Sequence, residues 1–439
     1  MHRRRGLELR RRIERLIRVH PLRPLASSTF QARFPRGASA CYKGGDSTQE
    51  ANRNMAKIEG TCDKKFERVQ KVFAQAFDDG KEVGAAVAVT IDGKPVLDIW
   101  GGHTDKAKTK PWTRDTIVNV YSTTKGLTAI CAHRLVDKGL LDLDAPVASY
   151  WPEFAQAGKA KLPVRYLLSH QAGLPGVRKP LQPDDLFNWD MMCSALAETE
   201  PWWTPGTKHG YHAITYGWLV GELIRRITGK SPGTYLRDEL AAPLGLDCHI
   251  GLDAKHDGRV ADMIAAPPPP PEQLNIFAEM LKDPESMMAK TFNNPPMMLS
   301  PGLVNTRKWR ACELPAANGH TNARSLARVY GAVSRGGEVD GYQVLKPSSI
   351  ARGYTEQASG PDAVLQLSTR FGLGFMLSQP GASLGPNPRA FGHPGAGGSL
   401  GFADPDAKVG FGYVMNKMES GILIDPRASA LIDAVYASL

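Results

Sequence analysis

The first strong periodicity in the chain falls at residues 63–80, DKKFERVQKVFAQAFDDG, where Phe66, Val69, Phe73, Ala76 and Phe77 recur at three- and four-residue spacing. That spacing lines one face of an amphipathic helix, and Gly80 is placed to stop it. The pattern then changes to an apolar run, a turn and a second run in AAVAVTIDGKPVLDIWGG. Two strands joined around Asp92-Gly93 are predicted, because that dipeptide tolerates the positive φ angles of a tight hairpin. Between about residues 115 and 335, helical stretches alternate with Pro/Gly-rich loops, and the proline run Pro267–Pro271 predicts an extended surface loop. Strand signals return in FGLGFML and KVGFGYVMN, and DPRASALIDAVYASL predicts a closing helix with Pro426 near its start. The expected fold is α/β: an antiparallel sheet flanked by helices, built from residues 55–114 and 336–439, with an inserted mainly helical domain at 115–335.

Charge changes this picture only at one end. The formal net charge is +10, but residues 1–54 hold 13 Lys/Arg against 4 Asp/Glu, so the body of the chain is close to neutral. A basic, disordered extension is expected there and no nucleic-acid partner. The extension has no apolar run long enough for a secretory signal or a membrane span, so a cytoplasmic protein without a membrane partner is expected. The six cysteines are scattered without a C-x-x-C pair, as free thiols in a reducing compartment would be. The eleven histidines form no metal-ligand spacing, and neither a metal nor another cofactor is expected.

Three stretches carry candidate chemistry. In VYSTTKGLTAICAHRLVDKG a polar entry gives way to a helical pattern with Leu127, Ile130, Cys131 and Leu135 on one face, and Gly139 is placed to end it. Ser122 stands at the start of that helix and Lys125 three residues on, within reach of its hydroxyl. An amine there takes the serine proton once burial and the helix N-terminus have lowered its pKa from ~10.4. The second stretch, PGTKHGYHAITYGWLVGELIRRITGKS, sets Tyr211 between a Pro/Gly-rich loop and an apolar helix, with His209 and His212 as rival proton acceptors. The third, AFGHPGAGGSLGFADPDAKVGFGYVMN, is glycine-rich, which lets a substrate approach the backbone and a backbone N–H face an oxyanion. GASLG at Ser383 and GGSLG at Ser399 match the G-x-S-x-G nucleophile elbow, but neither serine is followed by a helix-forming run, so both are expected to be decoys.

Taken in this order, and with the phrases LLDLDAPVASYWPEF, VRYLLSHQAGLP and PAANGHTNARSLARVYGAV, the chain from about Met55 to Leu439 resembles the serine β-lactamase and penicillin-binding-protein superfamily. Within it the similarity is to the class C β-lactamase-like carboxylesterases called family VIII esterases. The resemblance implies Ser122 as acylated nucleophile, Lys125 as its proton partner and Tyr211 as general base and then acid. It also implies an oxyanion hole from the backbone N–H groups of Ser122 and Ala396, with His393, Gly395 and Ala213 at substrate-binding positions. The chain departs from the β-lactamase pattern in two places. Tyr211-His212-Ala213 lacks the asparagine that holds a β-lactam's amide, and His393-Pro394-Gly395 replaces lysine-threonine-glycine. A protonated His393 would still donate to a carboxylate below about pH 6.5. The expected activity is a serine carboxylesterase acting on small-molecule, short-chain acyl esters. Acyl transfer to an alcohol and weak β-lactam hydrolysis fit the same resemblance. A catalytically silent scaffold or ligand-binding protein is the alternative of another class. No feature of the sequence points to an oligomeric state.

Overall fold

The computed structural model describes residues 57–267, 276–296, 302–421 and 423–439. The basic segment 1–54 and most of the proline run lie outside the described residues. Nine strands form one antiparallel sheet: β1 (Ile58–Cys62), β2 (Gly84–Ile91), β3 (Lys94–Gly102), β4 (Ala358–Pro361), β5 (Ser368–Phe371), β6 (Met376–Leu377), β7 (Phe391–Pro394), β8 (Leu400–Asp404) and β9 (Val409–Met415), in the order β1-β3-β2-β9-β8-β7-β6-β5-β4. Its centre joins the two ends of the chain, because β2 pairs with β9 from Ile91 opposite Val409 to Ala85 opposite Met415. The predicted hairpin is present, with Asp92 and Gly93 at φ of 48° and 76°.

Six longer helices pack around the sheet: α1 (Glu67–Asp78), α2 (Thr123–Asp137), α3 (Trp189–Glu198), α4 (Thr215–Thr228), α5 (Ala323–Ser334) and α6 (Pro426–Tyr436). α5 lies on β2, β8 and β9, α2 on β7, and α1 on β1 with α6 against it, while α4 packs on α2 and α3 on α4. α1 turns Val69 and Phe73 into the core, as the spacing requires, and the chain reverses at Gly80 with φ of 67°. α5 lies so close to the sheet that only glycine fits beneath it. A Cβ on Gly412 would stand 2.2 Å from the Ala323 carbonyl oxygen, and one on Gly410 would stand 2.3 Å from the Gly331 nitrogen.

α2 is a buried helix, and its burial reaches beyond the face of Leu127, Ile130, Cys131 and Leu135: every residue from Thr123 to Leu135 is buried, since the helix runs between the sheet and α4. One sequence expectation changes. FGLGFML is not one strand. Phe371 ends β5, the backbone turns at Gly374 (φ 87°), whose N–H donates to Leu168 O at 2.9 Å, and only Met376 and Leu377 rejoin the ladder as β6. The glycines permit that exit, and a carbonyl outside the sheet stabilises it. No helix among the described residues is long and apolar enough to cross a membrane.

Candidate active site

The short strand Ile117–Asn119 feeds into Val120, whose N–H donates to Gly319 O at 2.8 Å. Tyr121 then takes a φ of 42°, the left-handed region that a bulky side chain enters only at a cost of order 1–3 kcal/mol. The bend presents Ser122 at the N-cap of α2, half-buried, while the side chains behind it are sealed in the core.

Lys125 is fully buried, with Nζ 3.0 Å from Ser122 Oγ, 2.7 Å from Ala213 O and 2.9 Å from Ala316 O. No carboxylate is among these neighbours, and burial holds its pKa well below the usual lysine value. A neutral amine has two N–H donors and one lone pair. Two carbonyl acceptors take the donors, which leaves the lone pair facing the Ser122 hydroxyl. The i, i+3 spacing announced the pair; the two carbonyls, 88 and 191 residues away from Lys125, had no local signal.

Tyr211 is buried beside this pair, with its ring centroid 4.8 Å from Lys125 Nζ. Burial pushes its phenol above the ordinary range, and a hydrogen bond with Ser122 acts in the opposite direction. The loop that carries it is fixed at several points. Asp362 Oδ1 accepts the N–H groups of Tyr211 (3.0 Å), Val364 (2.8 Å) and Leu365 (2.8 Å), and Phe371 stacks on the phenol ring at 6.2 Å. His170, at φ of 60°, packs its ring 5.0 Å from that of Tyr211, and its Nδ1 accepts the His212 N–H at 3.1 Å. Sequence reasoning missed both Asp362 and His170. His170 lies in the quoted phrase VRYLLSHQAGLP, but nothing local gives it a task.

The rival histidines are otherwise engaged. His212 Nε2 accepts the Leu174 N–H at 3.0 Å and its Nδ1–H donates to Gly210 O at 2.7 Å, so neither nitrogen is open to a serine proton. Burial pushes its pKa down to about 3. His209 is paired with Thr369 Oγ1 at 2.8 Å, and burial lowers its pKa as well.

His393, at the end of β7, has its ring buried 6.0 Å from that of Tyr211. Its Nδ1–H donates to Pro394 O at 2.7 Å, and Nε2 has no partner among the described residues. Burial, with the nearby Lys125 charge, pushes its pKa down to about 3. This corrects the expectation of a protonated His393 below about pH 6.5: the ring stays neutral there and offers no cationic donor to a carboxylate. Ala213 likewise contributes its carbonyl to Lys125, while its side chain packs with Tyr211, Phe371 and Met376.

Gly395 presses against the start of α2; a Cβ there would stand 2.2 Å from Val120 O and from Ser399 Oγ. Ala396 follows, itself exposed, in a turn between β7 and β8 whose other residues are buried. Ser399 is buried, donating to Val120 O at 2.8 Å and lying 3.1 Å from Thr123 Oγ1, so this decoy serine ties the turn to the helix start. Ser383 is exposed in a loop and donates to Gly385 O. Neither serine starts a helix. Among the described residues no group of three or more His, Cys, Asp or Glu side chains is arranged to hold a metal ion.

Ser122, Lys125 and Tyr211 thus converge from two separate segments, with His393 beside Tyr211 and Gly395 against the start of α2. The sequence model of the beta-lactamase family matches residues 69–433. The esterase/beta-lactamase LipL of Mycobacterium tuberculosis is 38% identical over 380 residues, covering 85% of this chain and 86% of that protein. Among solved structures, a family VIII carboxylesterase superposes with a TM-score of 0.80 at 43% identity, covering 87% of this chain and all of that one. A penicillin-binding-protein homologue from Caulobacter crescentus superposes with a TM-score of 0.79 at 41% identity, with coverage of 87% and 100%. With its fold, its family match and these relatives in agreement, the chain belongs to the beta-lactamase family and is a serine hydrolase similar to the family VIII carboxylesterases.

Proposed function

We propose that the protein hydrolyses short-chain acyl esters through an acyl-enzyme on Ser122. The observation that carries the reading is the buried Lys125 amine, whose two donors are spent on carbonyls and whose third neighbour, at 3.0 Å, is the serine oxygen. Ser122 Oγ attacks the ester carbonyl carbon as its proton passes to Lys125 Nζ. The carbonyl oxygen becomes an oxyanion facing the N–H groups of Ser122 and Ala396 at the N-terminus of α2. As the intermediate collapses, the C–O bond to the alcohol breaks. Tyr211, which burial keeps protonated, gives the leaving oxygen its proton and regains one from the Lys125 ammonium. Water then repeats the sequence on the acyl-enzyme and frees Ser122. This assigns acceptance of the serine proton to Lys125 and donation to Tyr211, where the family resemblance alone made the tyrosine base first.

Esters are favoured over β-lactams because Ala213 and the neutral, buried His393 stand where an asparagine and a lysine would grip a β-lactam's amide and carboxylate. Each hydrogen bond lost to a charged or buried group costs ~1.5–3 kcal/mol, roughly ten- to a hundredfold in rate when felt in the transition state. The relative LipL is named for both activities, which makes a cephalosporin the informative competitor. In a folded Ser122→Ala protein, turnover of a short acyl aryl ester is expected to vanish together with the acyl adduct seen by intact mass spectrometry on the wild type. Retained turnover would overturn the nucleophile. A higher kcat/KM for a chromogenic cephalosporin than for the ester would overturn the substrate class.

A further inference from the structure

Arg427, in the first turn of α6, is buried, and one terminal nitrogen of its guanidinium donates to the carbonyl of Gly397 at 2.8 Å. Its other donors are also engaged. Asp425 accepts Nε and the same terminal nitrogen at 2.9 Å each, while the second terminal nitrogen reaches Glu82 (3.1 Å) and the carbonyls of Lys417 (3.0 Å) and Lys81 (3.1 Å). A rigid planar fork held at all of its nitrogens has little freedom to move. The turn it meets has little freedom either. Gly397 and Gly398 have φ of 86° and 129°, and a Cβ on Gly398 would stand 2.8 Å from the guanidinium and 2.9 Å from Asp425.

The hydrogen bonds of this turn run head to tail. The Gly397 carbonyl that Arg427 holds shares a peptide plane with the Gly398 N–H. That N–H donates to Gly395 O at 3.0 Å, and Gly395 O shares a peptide plane with the Ala396 N–H. Two peptide groups therefore connect a buried cation to the N–H assigned to the oxyanion. In such a chain each bond polarises the next, and fixing one plane fixes the direction of the other. A buried ionic cluster is a poor device for stability alone, since apolar residues of similar volume do as well or better.

We propose that Arg427 is a positioning residue for the oxyanion hole, aiming and polarising the Ala396 N–H through the Gly397–Gly398 and Gly395–Ala396 peptides. The inference rests on Ser122 as nucleophile with Ala396 as oxyanion donor, and deepens that reading. Lysine keeps the charge at position 427 but cannot span both Gly397 and Asp425 with a planar fork. The test compares an aryl ester with its thionoester, whose C=S sulfur is a weak acceptor and draws little from the oxyanion donors. In Arg427→Lys, kcat/KM for the ester is expected to fall about tenfold or more, against 10²–10³ for outright loss of an oxyanion donor. KM should change little and the thionoester should fall less, so the ester-to-thionoester ratio shrinks. Asp425→Asn, which loosens the brace and keeps the arginine, should shrink the ratio in the same direction and serves if Arg427→Lys does not give a cooperative melt. An unchanged ratio in a folded variant, even with both rates lowered together, would overturn the proposal. Failure of the underlying reading shows separately, as ester turnover retained in Ser122→Ala.

Discussion

At Lys125 a side chain that is ordinarily charged sits among two carbonyl oxygens, a serine and an aromatic ring, with no counter-ion among the described residues. The sign of the resulting pH dependence follows from its lowered pKa. Between the lowered folded pKa and the ordinary lysine value of 10.5 the folded protein binds fewer protons at this site than the unfolded chain, so the stability contribution of this site is present above 10.5 and is lost as pH falls through the lowered folded pKa. Activity follows the same direction, since only the free amine accepts the Ser122 proton. Ester kcat/KM is therefore expected to rise with pH through the lowered pKa of Lys125 and to reach its plateau well before an ordinary lysine titrates. Lys125→Arg should be nearly as damaging as Lys125→Ala, because a guanidinium stays protonated and must find room for extra atoms in a fully buried site. Ester turnover retained in the arginine variant would show that the lysine acts only as a charge, leaving Tyr211 as the sole base.

Among the secondary-structure elements, what the sequence made legible was whatever lies within one helix or one turn. The Ser122–Lys125 pair is an i, i+3 relation, the Asp92-Gly93 hairpin is a dipeptide, and the α1 stripe is a periodicity. The supports of Tyr211 at Asp362 and His170 and the cation at Arg427 depend on contacts between segments far apart, for which a single sequence has no local signature. FGLGFML misled because an apolar run with glycines suits a buried strand and a buried turn equally well. The closeness of α5 to the sheet belongs with the illegible features and has a measurable cost. Gly412→Ala places a Cβ 2.2 Å from the Ala323 carbonyl and forces the helix outward. The expected loss is about 1–3 kcal/mol, typical of an overpacked core, read from the denaturant midpoint. Gly258→Ala, where no atom of a described residue outside its chain neighbours lies within 4 Å of the added carbon, should change stability by less than about 0.5 kcal/mol. Equal effects at the two positions would remove the packing argument.

For the whole molecule, the pairing of β2 with β9 has a consequence for how the protein is made. The hairpin of β2 and β3 is complete once about a quarter of the chain has been synthesised, but the partner on the other side of β2 is β9, more than 300 residues later. At 5–20 residues per second a ribosome needs roughly 15–60 seconds to supply it. Throughout that interval β2, an almost wholly buried strand of sequence GAAVAVTI in the finished protein, presents an open row of backbone donors and acceptors. A chain released at residue 408, with β1 to β8 and α5 but without β9 and α6, is expected to be captured by chaperones or to aggregate. The full-length chain should acquire protease resistance only after its last strand has left the exit tunnel. Pulse-chase proteolysis of stalled nascent chains of both lengths measures this, and resistance at residue 408 would show that the sheet closes without its central strand. Expression of the enzyme then depends less on its active site than on shielding a single strand edge for the better part of a minute.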